Sequence, residues 1–298
     1  MKDIGASVLA RLRNKAKGNN ISYQQCLQLF FQEEFLRRLA KSKYVDNLVL
    51  KGGLLIYTLT NFESRATVDV DFLLRQQSYA IDRVEVMIQE ILNTATGNDY
   101  ILLEAKEFEQ ISPQRTYQGI SMQIVGRINR VRVPFNVDIG VGDIIIPKAE
   151  MRKINTQLND FESPEIATYS LESTIAEKFD AIIQRYELTG RMKDFYDIFY
   201  LSHAFEFDGR KLQEALYETL QNRGTPYERN SFRRVIDLAD DKDMNIKWRY
   251  FLRNLKLDGP SLQEVIKAID VFLEPVYNAI IDENEYIKSW DSKILLWI

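Results

Sequence analysis

The stretch NLVLKGGLLIYTLTNFESRATVDVDFLL, from Asn47 to Leu74, decides the fold. It reads as a strand, a Gly-Gly turn, a short helix and a second strand that carries two aspartates. Val49 and Leu50 lead into Lys51-Gly52-Gly53, and the apolar run Leu54, Leu55, Ile56, Tyr57 and Leu59 continues at a density that suits a buried helix. From Thr67 to Leu74 the pattern alternates. Side chains in a strand have a period of two, so Val68, Val70 and Phe72 share one side and Asp69 and Asp71 project together from the other.

Two carboxylates on one strand face raise each other's pKa unless a cation sits between them. Mg²⁺ resolves the conflict, because it takes one or two protein carboxylates and fills its remaining shell with water and phosphate oxygens. Gly52 and Gly53 supply what a phosphate needs: backbone that can approach closely, and N–H groups at the start of the next helix. Each half also has a plainer reading, the glycines as an ordinary turn and the aspartates as a solvated sheet face. Their combination, with Asp69 sixteen residues after Gly53, is the more specific signal.

Outward from this stretch, the 298 residues allow one large or two ordinary domains. The sequence has no apolar run of membrane-span length, and MKDIGASVLARLRNKAKGNN lacks the apolar core of a signal peptide, so a cytoplasmic protein is expected. The single cysteine, Cys26, excludes an internal disulfide or a cysteine-cluster zinc site and is expected as a small buried hydrophobe on the first helix. The single histidine, His203, follows Ile198 to Leu201 and suits a core or helix-end position. Histidine-based catalysis would rest on that one residue, so carboxylates, Lys and Arg must carry any chemistry. A net charge of −4 argues against a protein that coats nucleic acid, while leaving room for a local basic patch.

Up to about Lys43, apolar residues recur at three and four, predicting helices with a break at Asn19, Asn20 and an N-cap at Ser22. A helix is expected between Tyr79 and Leu92, then strands over Tyr100 to Phe108, Thr116 to Ile128 and Arg130 to Val141, with a hairpin turn at Asn129. In the last strand, FNVDIGVGD, Asp138 shares a face with Asn136. A third carboxylate on a neighbouring strand suits two-metal phosphoryl transfer, where it can complete a second metal's shell and take a proton; it also suits a turn. From Pro147 onward the sequence reads as helical. Leu171, Ile175, Phe179, Ile182 and Tyr186 form one stripe, with Lys178 and Arg185 seven apart on its flank. After a break at Thr189-Gly190, RMKDFYDIFYL places Arg191, Asp194 and Asp197 at spacings of three. A surface-charged helical hairpin is the plain account of this pair. Helical stripes follow over Leu212 to Leu220, Phe232 to Leu238, Ile246 to Leu255 and Leu262 to Ile281. Among them Arg233, Arg234, Lys247, Arg249, Arg253 and Lys256, with Trp248 and Tyr250, fit either a phosphate-contacting patch or a solvated face.

The Gly-Gly turn followed by Asp-x-Asp resembles motif I of the DNA-polymerase-β-like nucleotidyltransferases. KGG with RATVDVDF, and then STIAEKFDAIIQR with RMKDFYDIFYL, resemble the AbiEii/AbiGii-type toxins of bacterial toxin–antitoxin and phage-defence systems, from about Phe35 to Ile280. The resemblance implies an α+β protein: a nucleotidyltransferase-fold domain over 1–150, with a mixed sheet flanked by helices, and a mostly helical domain over 151–298 contributing Lys and Asp to the active-site cleft. It implies that Asp69 and Asp71 bind Mg²⁺, that Gly52 and Gly53 hold the NTP phosphates, that Lys178 neutralises triphosphate charge and that Asp194, with Asp197 beside it, completes the site. Lys51, Arg65 and Thr67 match positions flanking the nucleotide, and Arg185 is assigned with them; Asp138 is a further catalytic candidate. Leu54 departs from the Thr or Ser common in the family, which leaves phosphate to the backbone N–H groups.

The expected reaction is attack of an acceptor hydroxyl on the α-phosphate of an NTP, with the 3′ end of tRNA as the acceptor that the family implies and a cognate antitoxin as partner. Transfer to a small molecule or a protein side chain, or a catalytically inactive binding protein of the same fold, are the alternatives.

Overall fold

The computed structural model describes residues 3–18, 21–111, 119–186 and 190–298. The expected breaks at Asn19, Asn20 and Thr189 and the expected strand start at Thr116 lie outside the described residues. The chain divides into two compact units, one of Met1–Gly142 with Ala149–Tyr169, the other of Asp143–Lys148 with Ser170–Ile298.

The first unit begins with helices α1 (Ile4–Gly18) and α2 (Tyr23–Lys41). Ser22 caps α2 as its sequence predicts: its Oγ accepts from the Gln25 N–H at 3.1 Å while the Gln25 Oε1 accepts from the Ser22 N–H at 3.2 Å. Reciprocal capping of this kind satisfies two backbone donors that the helix leaves open. Cys26 is buried, on α2 rather than on the first helix.

Then come β1 (Leu48–Lys51), α3 (Gly52–Leu59), β2 (Asp69–Leu74), α4 (Ile81–Leu92), β3 (Leu102–Ile111), β4 (Gly119–Ile128) and β5 (Val131–Gly140). With β6 (Glu150–Lys153) and β7 (Glu165–Thr168) they form, among the described residues, a mixed seven-stranded sheet in the order β3-β4-β5-β2-β1-β7-β6. β2 lies at its centre, parallel to β5 and antiparallel to β1.

β6 and β7 correct the expectation of helix from Pro147 onward. β6 pairs only with β7 in the sheet order, and its sequence EMRK carries no apolar alternation because an edge strand has little to bury. Val70 and Phe72 are fully buried as alternation requires, but Val68 is 59% exposed. The strand begins only at Asp69, and the Val68 carbonyl accepts from the Gln28 and Gln32 side-chain amides of α2 at 2.6 and 2.8 Å.

The second unit is mostly helical: α5 (Leu171–Arg185), α6 (Met192–Ala204), α7 (Gly209–Asn222), α8 (Arg229–Asp237), α9 (Lys242–Leu255) and α10 (Leu262–Ile281). α10 packs on α6, α7, α8 and α9, and α5 packs on α6, α7 and α8. Their shared core includes Phe179, Phe232 and Tyr277, whose ring centres lie 5.3 to 5.9 Å apart. Three short strands that the sequence pattern does not announce, β8 (Phe207–Asp208), β9 (Ser289–Asp291) and β10 (Leu296–Trp297), form a separate sheet. There Trp290 and Trp297 pack on Phe272, and both indole N–H groups find carbonyls, of Ser202 at 2.6 Å and Phe272 at 2.9 Å. His203 lies in the last turn of α6, exposed, its ring 4.1 Å from that of Phe199.

Candidate active site

In the first unit the turn from β1 into α3 meets the aspartate strand directly. Lys51 pairs in register with Asp71, and Asp71 with Asp138 on β5. Paired residues on adjacent strands project to the same face, so Lys51, Asp71 and Asp138 form a row across three strands, with Asp69 and Asn136 paired alongside on that face.

Gly52 has a φ of +70°, a conformation that side chains with Cβ rarely adopt. A Cβ there would also stand 2.2 Å from the Asp71 Oδ2 and 2.8 Å from its Cγ. The carboxylate therefore occupies the space a side chain would fill. Gly53 is confined less tightly: a Cβ would meet the Thr67 Oγ1 at 2.9 Å and lie 3.5 Å from the Arg65 Nη2. The sheet and turn thus gather Lys51, Gly52, Gly53, Arg65, Thr67, Asp69, Asp71 and Asp138.

The electrostatics of the row are mixed. The Lys51 Nζ lies 5.3 Å from the centre of the Tyr169 ring and 3.9 Å from where a Gly140 Cβ would be, so it reaches from β1 toward β5. Asp138 accepts from the Ser121 hydroxyl at 2.6 Å, a charge-assisted distance that fixes the carboxylate's orientation.

Among the described residues, no three His, Cys, Asp or Glu side chains converge as a cage for a metal. Mg²⁺ chemistry does not require one, since one or two carboxylates suffice when substrate phosphates supply further oxygens. Hard oxygen donors from Asp69 and Asp71 on one face, beside a turn without Cβ atoms, fit that ion.

Gln28 and Gln32, which bond the Val68 carbonyl, and Ser121, which bonds Asp138, were not singled out by sequence pattern alone. The signal was available in part: Gln28 and Gln32 are four apart on α2 and therefore on one face. Leu54 is fully buried, so the side chain that departs from the family pattern belongs to the core.

In the second unit Ser170 caps α5, accepting from the Ser173 N–H at 3.0 Å, and the helix carries Lys178 inward. The Lys178 ammonium donates to Asp197 at 2.5 Å and to Asp194 at 3.3 Å, both on α6. Arg191 pairs with the other Asp194 oxygen at 2.6 Å. Asp194 and Asp197 are almost fully buried, so this is an internal ion cluster rather than surface charge on a helical hairpin. Arg185 is not part of it: it is exposed in the last turn of α5 while Lys178 is buried, and seven residues of helix separate them by about 10 Å.

Solved structures of nucleotidyltransferase-type proteins share the fold of this chain. MenT4, a nucleotidyltransferase toxin from Mycobacterium tuberculosis H37Rv, is 17% identical with a TM-score of 0.56, covering 93% of this chain and 99% of that one. A candidate nucleotidyltransferase from H. pylori is 13% identical with a TM-score of 0.50, covering 89% of this chain and 100% of that one. The comparison with curated proteins gives no match. Over residues 34–275 the chain matches the family described as nucleotidyl transferase AbiEii toxin of type IV toxin–antitoxin systems, and it belongs to that family.

Proposed function

We propose that this member of the family moves a nucleoside monophosphate from an NTP to the 3′-terminal hydroxyl of tRNA, and so blocks translation. The observation that carries the proposal is the fit of the Gly52 turn around the Asp71 carboxylate, in register with Lys51 and Asp138. A turn this close to a carboxylate brings phosphate-binding N–H groups and a metal-binding oxygen to one place.

Asp69 and Asp71 would hold Mg²⁺, which when bound supplies charge neutralisation at the phosphates. Lys51, Arg65 and Thr67 orient the nucleotide at the turn. Asp138, held by Ser121, accepts the proton as the acceptor hydroxyl bonds to the α-phosphorus. The bond from the α-phosphorus to the bridging oxygen breaks, and pyrophosphate leaves. Phosphoryl transfer asks mainly for positioning and charge stabilisation, which these groups provide without a covalent intermediate. We assign Lys178 and Asp194 to the same reaction, with Asp197 holding the Lys178 ammonium. The family's antitoxin is the expected protein partner.

The test is to incubate the protein with each α-³²P-labelled NTP, total tRNA and Mg²⁺, beside the Asp69→Ala/Asp71→Ala variant. Label should enter tRNA with the wild type alone, favour one nucleotide and disappear with EDTA. Label entering a protein or a small molecule regardless of tRNA would overturn the acceptor. No incorporation anywhere, with growth arrest equal in wild type and variant, would overturn the enzymatic reading.

A further inference from the structure

The outer face of α9 is not accounted for by the core of its unit. Trp248, one of the residues read with the basic patch, is buried, and its indole donates to the Pro260 carbonyl at 2.8 Å. Met244 is buried on the same side. Helical spacing then puts Ile246, Arg249, Tyr250 and Arg253 on the opposite side, and all four are exposed. Tyr250 is 57% exposed, with the Arg253 guanidinium 5.4 Å from its ring centre. Lys256, also exposed, extends the positive charge past the helix end.

Cations in a last turn complement the helix dipole, which gives Arg253 a role within the fold. That does not explain a half-exposed tyrosine under a guanidinium, or a second arginine one turn earlier. Acidic residues flank this stretch, Asp243 near the start of α9 and Asp258 beyond its end, so the cationic part is confined to the second half of the helix. In a chain of net charge −4, such a local patch is complementary to a polyanion. An aromatic ring bordered by arginines is what a single-stranded nucleic acid requires: a face for a base to stack on, and charge for the adjoining phosphates.

We infer that the outer face of α9 binds single-stranded RNA, with Tyr250 stacking on a base and Arg249 and Arg253 pairing with backbone phosphates. The inference rests on the RNA-acceptor reading above, and it names a surface for that RNA.

The experiment measures binding of a fluorescent single-stranded RNA of about a dozen nucleotides. It is done without NTP, in the Asp69→Ala/Asp71→Ala background, so that a failure of binding and a failure of transfer are read separately. Tyr250→Ala should weaken binding about tenfold, while Tyr250→Phe keeps it. Arg249→Gln/Arg253→Gln should lower the slope of log affinity against log salt by about 1.4, roughly 0.7 for each phosphate left without its arginine. Far-UV circular dichroism and the melting temperature of each variant report whether it is still folded. Unchanged affinity and salt slope in folded variants would overturn the inference and leave this face to an acidic protein surface. Equal loss in Tyr250→Phe and Tyr250→Ala would overturn the stacking role.

Discussion

Gly52 shows what a single residue contributes at this site. Its backbone lies at positive φ, and the Asp71 carboxylate fills the place of its missing side chain. Gly52→Ala should therefore abolish nucleotide incorporation and lower stability by about 1–2 kcal/mol, read in the transfer assay and by thermal denaturation. The need for glycine was legible in the sequence, since Lys-Gly-Gly stood between an apolar strand and an apolar helix. Its contact with Asp71 was not, because an antiparallel register between β1 and β2 is required to bring the two together. Lys178 is the opposite case. Its place on a helix flank was legible, but nothing in the spacing showed that Asp194 and Asp197 would enclose it in the interior. Removing one partner from a buried ion cluster leaves uncompensated charge, so Lys178→Met should destabilise by about 3–5 kcal/mol. Thermal denaturation should show the transition falling by roughly 10 °C or more, whatever happens to activity.

The elements were legible where one face is apolar and obscure where it is not. α10 and the core of α5 were plain from their stripes, and β2 from its period of two. β6 escaped because an edge strand made of Glu, Met, Arg and Lys has no buried face to write a pattern. α2 misled in another way: Glu33, Glu34 and Arg37 look like a solvated side of an amphipathic helix, yet all three are buried. Glu34 accepts from Arg37 at 2.9 Å, from Thr96 at 2.6 Å and from Asn98 at 2.9 Å, so its oxygens are well supplied. Glu33 has the Gln157 N–H at 3.0 Å and the Arg37 guanidinium at 3.8 Å. Burial dominates there and lifts its carboxyl from 4.5 to about 8. Between those values the folded protein keeps a proton that the unfolded chain releases, so stability falls as pH rises across that window. Glu33→Gln should flatten this part of the stability profile and gain on the wild type near pH 8, by melting temperatures recorded across the range.

At the scale of the whole molecule, Arg223 joins pieces of the second unit that are far apart in sequence. It pairs with Asp143 at 2.8 Å, Glu177 at 3.2 Å and Asp180 at 3.0 Å, tying the segment before β6 to α5. Burial opposes its charge, but the three carboxylates outweigh that and hold it firmly protonated. Arg223→Met would leave those acids crowded and should cost about 3–5 kcal/mol. All three tryptophans, Trp248, Trp290 and Trp297, belong to the second unit, so its loss should appear as an earlier transition in tryptophan fluorescence. The contrasting characters of the sheet-bearing half and the helical half could be read from their patterns. The path of the chain was hidden, because the short segment Asp143–Lys148 has no pattern of its own and is placed only by its partners.

That path bears on how such genes can recombine. The polypeptide passes into the second unit at Asp143, back at Ala149 and out again at Ser170. A reading frame begun at Ser170 would encode the helices without Asp143, the partner of Arg223, and without Ile146, whose backbone N–H bonds the Ser173 hydroxyl and whose carbonyl receives both the Ser170 and the Ser173 hydroxyls. One genetic exchange therefore cannot hand on one unit without splitting the other. Clean hybrid genes would need three breakpoints, two flanking a six-residue passage and one before Ser170, so lineages should exchange the pair as a single block.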